Sequence, residues 1–128
     1  MRTPGRSRHD RRAVAAAALG LALVLGAGRD DPLAGRVAGA PVRCVDIGRV
    51  QGPTIVDSDT ILYRQSGKRI WRTGPVGSCP PLRPLATMIV DVYGGQLCRN
   101  DRFRLVEPGL SIPSAACRFR DFTPYDKP

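Results

Sequence analysis

A chain of 128 residues with a formal net charge of +9, four cysteines and one histidine has room for one domain with a modest core once any leader is set aside. The histidine is His9, within the first dozen residues, so the remainder of the chain cannot build a Ser-His-Asp triad, a Cys-His pair or a histidine-ligated metal centre. From Pro41 onward eleven arginines and two lysines stand against seven aspartates and one glutamate, a formal +5; the near-absence of lysine, beside abundant Ala, Gly and Pro, has the look of GC-rich bacterial codon usage.

The first element is an export signal. Arg2, Arg6, Arg8 and the pair Arg11-Arg12 precede sixteen uncharged small or aliphatic residues, Ala13 to Gly28, a run too short and too rich in Ala and Gly for a comfortable membrane span. Residues 1–28 are therefore expected to form a signal helix, with processing near Gly28. The Arg pair is a partial twin-arginine signal, and an ordinary leader is the expectation. Residues 29–41, with Asp30, Asp31, Pro32, Gly35 and Gly39, are expected as a flexible linker, leaving 42–125 as the domain.

After Cys44 the apolar residues are β-branched or aromatic and recur with period two, which predicts strands. Val45 and Ile47 flank Asp46, and Thr54-Ile55-Val56 ends at the turn Asp57-Ser58-Asp59. Thr60 to Gln65 turns at Ser66-Gly67-Lys68 into Arg69 to Thr73, the clearest hairpin in the chain. Gly74 to Pro84 holds too many prolines for regular structure. Met88 to Tyr93, apolar except for Asp91, reads as a central buried strand ended by Gly94-Gly95. Arg102 to Val106 alternates Phe103 and Leu105 against Arg102 and Arg104; Leu110 and Ile112 suggest a short edge strand, and Cys117 opens a segment in which Phe119 lies between Arg118 and Arg120. About six short strands predict an all-β domain, a small antiparallel barrel or sandwich. The expected core is Ile47, Ile55, Ile61, Tyr63, Trp71, Leu82, Ile89, Val92, Leu97, Phe103, Leu105 and Phe119.

Cys44, Cys79, Cys98 and Cys117, an even number in an exported chain this short, predict a disulfide framework and a periplasmic or secreted location. Their gaps of 35, 19 and 19 residues do not suit a four-cysteine zinc site, which takes its ligands in close pairs. Three pairings are possible; the nested one, Cys44 with Cys117 and Cys79 with Cys98, is expected because it ties the domain's ends together.

Together, Cys44-Val45-Asp46-Ile47, Asp57-Ser58-Asp59-Thr60-Ile61-Leu62, Arg72, Cys79-Pro80-Pro81-Leu82, Gln96-Leu97-Cys98 with Asp101, and Cys117-Arg118-Phe119 resemble a family of small exported bacterial proteins of unknown function, over nearly all of 44–122. The resemblance implies export and a disulfide-held domain, and transfers no catalytic or binding residue.

The functional expectation is a non-catalytic envelope module, binding or structural, without cofactor or metal, whose surface engages another macromolecule or a cell-wall component. Glycosidase-like chemistry by two acids alone would have to draw on Asp46, Asp57, Asp59, Asp91, Asp101 or Glu107, most of them beside turns where Asp caps backbone groups. The alternative is polyanion binding, to lipopolysaccharide, anionic lipid or nucleic acid, through Arg102, Arg104, Arg118 and Arg120 on neighbouring strands, with Arg64, Arg69 and Arg72 extending the stripe. A second alternative is a secreted enzyme inhibitor presenting the loop Gly74 to Pro84.

Overall fold

A computed structural model describes residues 30–128; the expected signal segment, residues 1–28, lies outside them. Ten strands follow in order: β1 (Val37–Ala38), β2 (Cys44–Asp46), β3 (Gln51–Asp57), β4 (Thr60–Arg64), β5 (Arg69–Thr73), β6 (Thr87–Val90), β7 (Gln96–Cys98), β8 (Arg102–Val106), β9 (Cys117–Arg118) and β10 (Thr123–Asp126). A 3-10 turn at Ile47–Arg49 follows β2, capped by the Asp46 carboxylate, which accepts from the Gly48 N–H. The domain is all-β, and among the described residues no helix is long and apolar enough to cross a membrane.

The strands form three antiparallel sheets around one core: β1-β10-β5-β4-β3, the ribbon β2-β7, and β6-β8-β9. The expected hairpin is present as β4 and β5, with Tyr63 opposite Trp71 and Ile61 opposite Thr73. Ile61, Tyr63 and Trp71 face the core with Val45, Leu82, Leu97, Phe103, Leu105, Phe119 and Phe122. The other face of this hairpin is covered as well. Leu62 and Ile70 are buried outside the main core, against a small cavity that Pro32 also lines. Arg36 holds this covering segment in place by donating to the carbonyls of Lys68 (2.7 Å) and Gly67 (3.3 Å) at the hairpin tip. Within the stretch expected as a linker, β1 thus adds a strand to the sheet through Val37–Asp126 and Ala38–Tyr125 pairing.

Other sequence expectations need correction. Met88 to Tyr93 is not a central strand: β6 is an edge of its sheet, Ile89 is 44% and Val92 40% exposed. Its apolar run supplies one inward face, Met88 and Val90, rather than two. Leu110 and Ile112 form no strand and lie exposed beyond the turn at Glu107, where Leu110 N–H donates to the Glu107 carbonyl.

The disulfides are Cys44–Cys98 and Cys79–Cys117, not the nested pair. The cause of the first is strand register, since Cys44 and Cys98 stand directly opposite in β2-β7. The flanking pair Arg43–Arg99 carries a ladder hydrogen bond, so the cysteines occupy the non-hydrogen-bonded site, where opposed Cα atoms approach most closely. Cys79 is then left to anchor its proline-rich loop to Cys117, at the start of β9. Two such bridges point to an oxidising, extracytoplasmic environment.

The C-terminal strand is tied to the sheet by Arg69, whose guanidinium makes two hydrogen bonds to Asp126, at 2.7 and 2.6 Å, and lies 5.3 Å over Trp71. These bonds hold the Asp126 carboxyl below the usual carboxylate range and push the guanidinium up. A lowered folded-state value means the pair stabilises fully above the unfolded carboxylate pKa, near 3.9, and loses that contribution as pH falls through the folded value. Thermal unfolding followed from about pH 5 to pH 2 should show the wild type losing stability more steeply than Asp126→Asn over the lower part of that interval.

Candidate anion-binding face

The face is generated by β8 and its two neighbours. Alternation sends Phe103 and Leu105 into the core and Arg102 and Arg104 outward. On one side β9 sets Arg118 directly opposite Arg102, because Cys117, held by its disulfide, pairs with Phe103. On the other side β6 sets exposed Ile89 opposite Arg104, and beyond its end the Asp91 N–H donates to the Arg102 carbonyl at 3.0 Å. The result is an outward patch of Arg102, Arg104 and Arg118 beside Ile89 and Asp91.

These three guanidiniums make no ion pair and no side-chain hydrogen bond with any described residue. Most other arginines of the domain are engaged. Arg49 pairs with Asp46, Arg69 with Asp126, Arg83 with Glu107 and Arg99 with Asp121. Like charges directly opposite on adjacent strands cost stability, so the Arg102–Arg118 pair is an unfavourable element that a bound anion would offset.

Arg120 does not join the patch. After β9 the chain crosses toward the five-stranded sheet through the Phe119–Pro75 bridge and the bond from Arg120 N–H to the Gly74 carbonyl. The Arg120 side chain then donates to the Asp59 carbonyl (2.7 Å) and pairs with its carboxylate (3.1 Å). It lies so close over Gly74 that a Cβ there would stand 2.6 Å from its Nη2 and would also collide with the Asp59 carbonyl oxygen. Arg64, Arg69 and Arg72 belong to the five-stranded sheet, with Arg72 directed at Asp59 and the Thr60 hydroxyl, and they do not extend the patch.

The candidate acids are placed as follows. Asp46, Asp57 and Asp101 accept backbone N–H groups of Gly48, Asp59 and Cys98. Asp59 and Glu107 face arginines. Among the described residues a cavity of about 640 Å³ lies between the 83–86 and 107–108 turns, and the acid lining it is Glu107. A smaller cleft of about 280 Å³ holds Asp59 and Asp121 together with Arg72 and Arg120. The Gly74–Pro84 loop is held down by buried Cys79 and Leu82 and by the Val76 N–H bond to the Arg118 carbonyl.

Strand alternation alone identifies Arg102, Arg104 and Arg118 as outward-facing. That β6 borders them was hidden by its apolar run, which has the composition of a buried strand. Comparison with protein-family models, curated proteins and solved structures finds no match to this chain.

Proposed function

We propose that the protein is an exported, non-catalytic binding module of the cell envelope, periplasmic or secreted, that holds a polyanionic envelope component against Arg102, Arg104 and Arg118. The observation that carries this is the trio of guanidiniums without acid partners, two of them directly opposed, in a domain that neutralises most of its other arginines. Phosphate groups of lipopolysaccharide or anionic lipid suit such a patch. Single-stranded nucleic acid suits it less, because that mode of binding needs aromatic platforms, and Tyr93 is the exposed large aromatic side chain here.

Heparin and lipopolysaccharide binding, measured between 50 and 200 mM salt, is the test. If three arginines each displace a counterion, the affinity should fall by about fortyfold over that interval. Arg118→Glu should abolish most of the binding and the salt dependence. By converting a like-charged pair into an ion pair, it should also stabilise the fold by about 0.5 kcal/mol. Binding that ignores both salt and this substitution would reject the proposal.

A further inference from the structure

The geometry points to the free edge of β6 as a strand-addition site for an extended, acidic segment of a partner protein. The other edges of the two larger sheets are protected, and the ribbon strands β2 and β7 are only three residues long. Edge β3 carries two register irregularities and Pro53, while β1 and β9 are two residues long, and β9 is further covered by the Val76–Arg118 bond. Edge β6, Thr87-Met88-Ile89-Val90, has no proline, no charge and no bulge. Natural sheets ordinarily blunt such an edge, and one left open is a template for another strand.

The hydrogen-bond parity shows which groups are offered. Asp91 bonds to Arg102 across the β6-β8 pair, so Ile89 and Thr87, at the same parity, bond to β8, and Met88 and Val90 direct their N–H and C=O groups to the open side. No described backbone or side-chain group bonds them there. Facing this edge is a cleft of about 360 Å³ lined by Pro53, Thr54 and Ile55 of β3 and by Pro84, Ala86 and Met88. A strand laid on β6 would place alternate side chains into this cleft, which Thr54 and Thr87 line beside its prolines and aliphatic groups, and the others outward beside Ile89.

Charge selects the occupant. An added strand lies two strand spacings, about 10 Å, from Arg104, a gap that Arg and Glu side chains bridge together over Ile89. An acidic residue set opposite Ile89 therefore meets Arg104, while Asp91 lies between the added strand and Arg102, and this charge preference rests on the anion-binding proposal above. A second copy is disfavoured. Antiparallel pairing of two β6 edges brings both arginine patches to the same side of one sheet, and it would have to fit a whole domain where β3 leaves a cleft.

The experiment uses the full domain with both disulfides formed and ten-residue peptides alternating Val with Glu or Val with Lys, followed by fluorescence anisotropy and amide hydrogen exchange. The Val/Glu peptide should bind and the Val/Lys peptide should bind at least tenfold more weakly. Binding should slow exchange at the Met88 and Val90 amides at least tenfold and leave the Ile89 amide, already bonded to β8, unchanged. Val90→Pro, which removes one edge donor without touching the β8 ladder, should weaken peptide binding at least tenfold and leave heparin binding intact. Should Val90→Pro fail to fold, the exchange pattern of the wild type decides. Equal binding of both peptides with protection at Met88 and Val90 would uphold the edge and reject its charge preference. Peptide binding without that protection, or sedimentation showing a dimer that Val90→Pro dissociates, would overturn the proposal.

Discussion

Replacing Cys79 and Cys117 together by serine should lower the unfolding free energy by about 4 kcal/mol, the chain-entropy value for a loop of this length, across a sequence separation of 38. Replacing Cys44 and Cys98 should remove a similar entropic amount, their separation being 54. The first substitution should cost more in practice. Cys79 is 3% exposed and packs in the main core, so serine there buries a hydroxyl. It also frees a loop whose Leu82 side chain closes the core. Cys44 and Cys98, by contrast, lie on strands that keep their backbone pairing. Urea unfolding of each double variant checks this: both midpoints should fall, that of the 79/117 variant further. Full reduction should leave no cooperative transition at 37 °C, because a domain of this size has only about 5 to 15 kcal/mol in total.

The second large effect sits in the aromatic cluster and has two opposite signs. Phe119 is fully buried, 4.4 Å from the Phe103 ring and 5.8 Å from Phe122. Phe119→Ala should cost about 3 to 5 kcal/mol, the transfer loss plus the cavity left behind. Tyr63 packs edge-on against the same ring, yet its hydroxyl is buried and meets no hydrogen-bond partner among the described residues. Burial pushes its ionisation well above the ordinary phenol range. Tyr63→Phe keeps the ring and deletes the unsatisfied group, so it should stabilise by about 1 to 2 kcal/mol. Thermal or urea unfolding of the two variants should displace the midpoint in opposite directions. A destabilised Tyr63→Phe would mean that the hydroxyl has a partner.

What the sequence disclosed follows from how locally each feature is determined. The β4–β5 hairpin was legible because its turn and its alternation lie within fourteen consecutive residues, Thr60 to Thr73. Burial of Leu62 and Ile70 on its second face was not legible, since it depends on a segment some thirty residues upstream folding back over the sheet. Phe122 was missed because it lies outside the alternating segments, set by a bridge to Val42 at the other end of the domain and buried by packing on the distant Tyr63 ring. At the site, alternation around Phe103 gave the outward direction of Arg102 and Arg104. The same alternation misplaced Arg120, because parity along a strand carries no information once the chain leaves one sheet for another. The disulfide pairing was misjudged because a preference for joining the chain ends says nothing about register, and register brought Cys44 and Cys98 face to face.

The two sulfur bridges interlock, each joining a cysteine inside the other's loop to one outside it. One peptide-bond cleavage in any two of the three intervals between successive cysteines therefore yields three pieces that remain a single covalent body. Had the bridges been nested, cuts in the first and third intervals would release the middle piece outright. In surroundings populated by proteases, a nicked copy of this molecule would keep its mass and, with the strands still packed, its arginine patch.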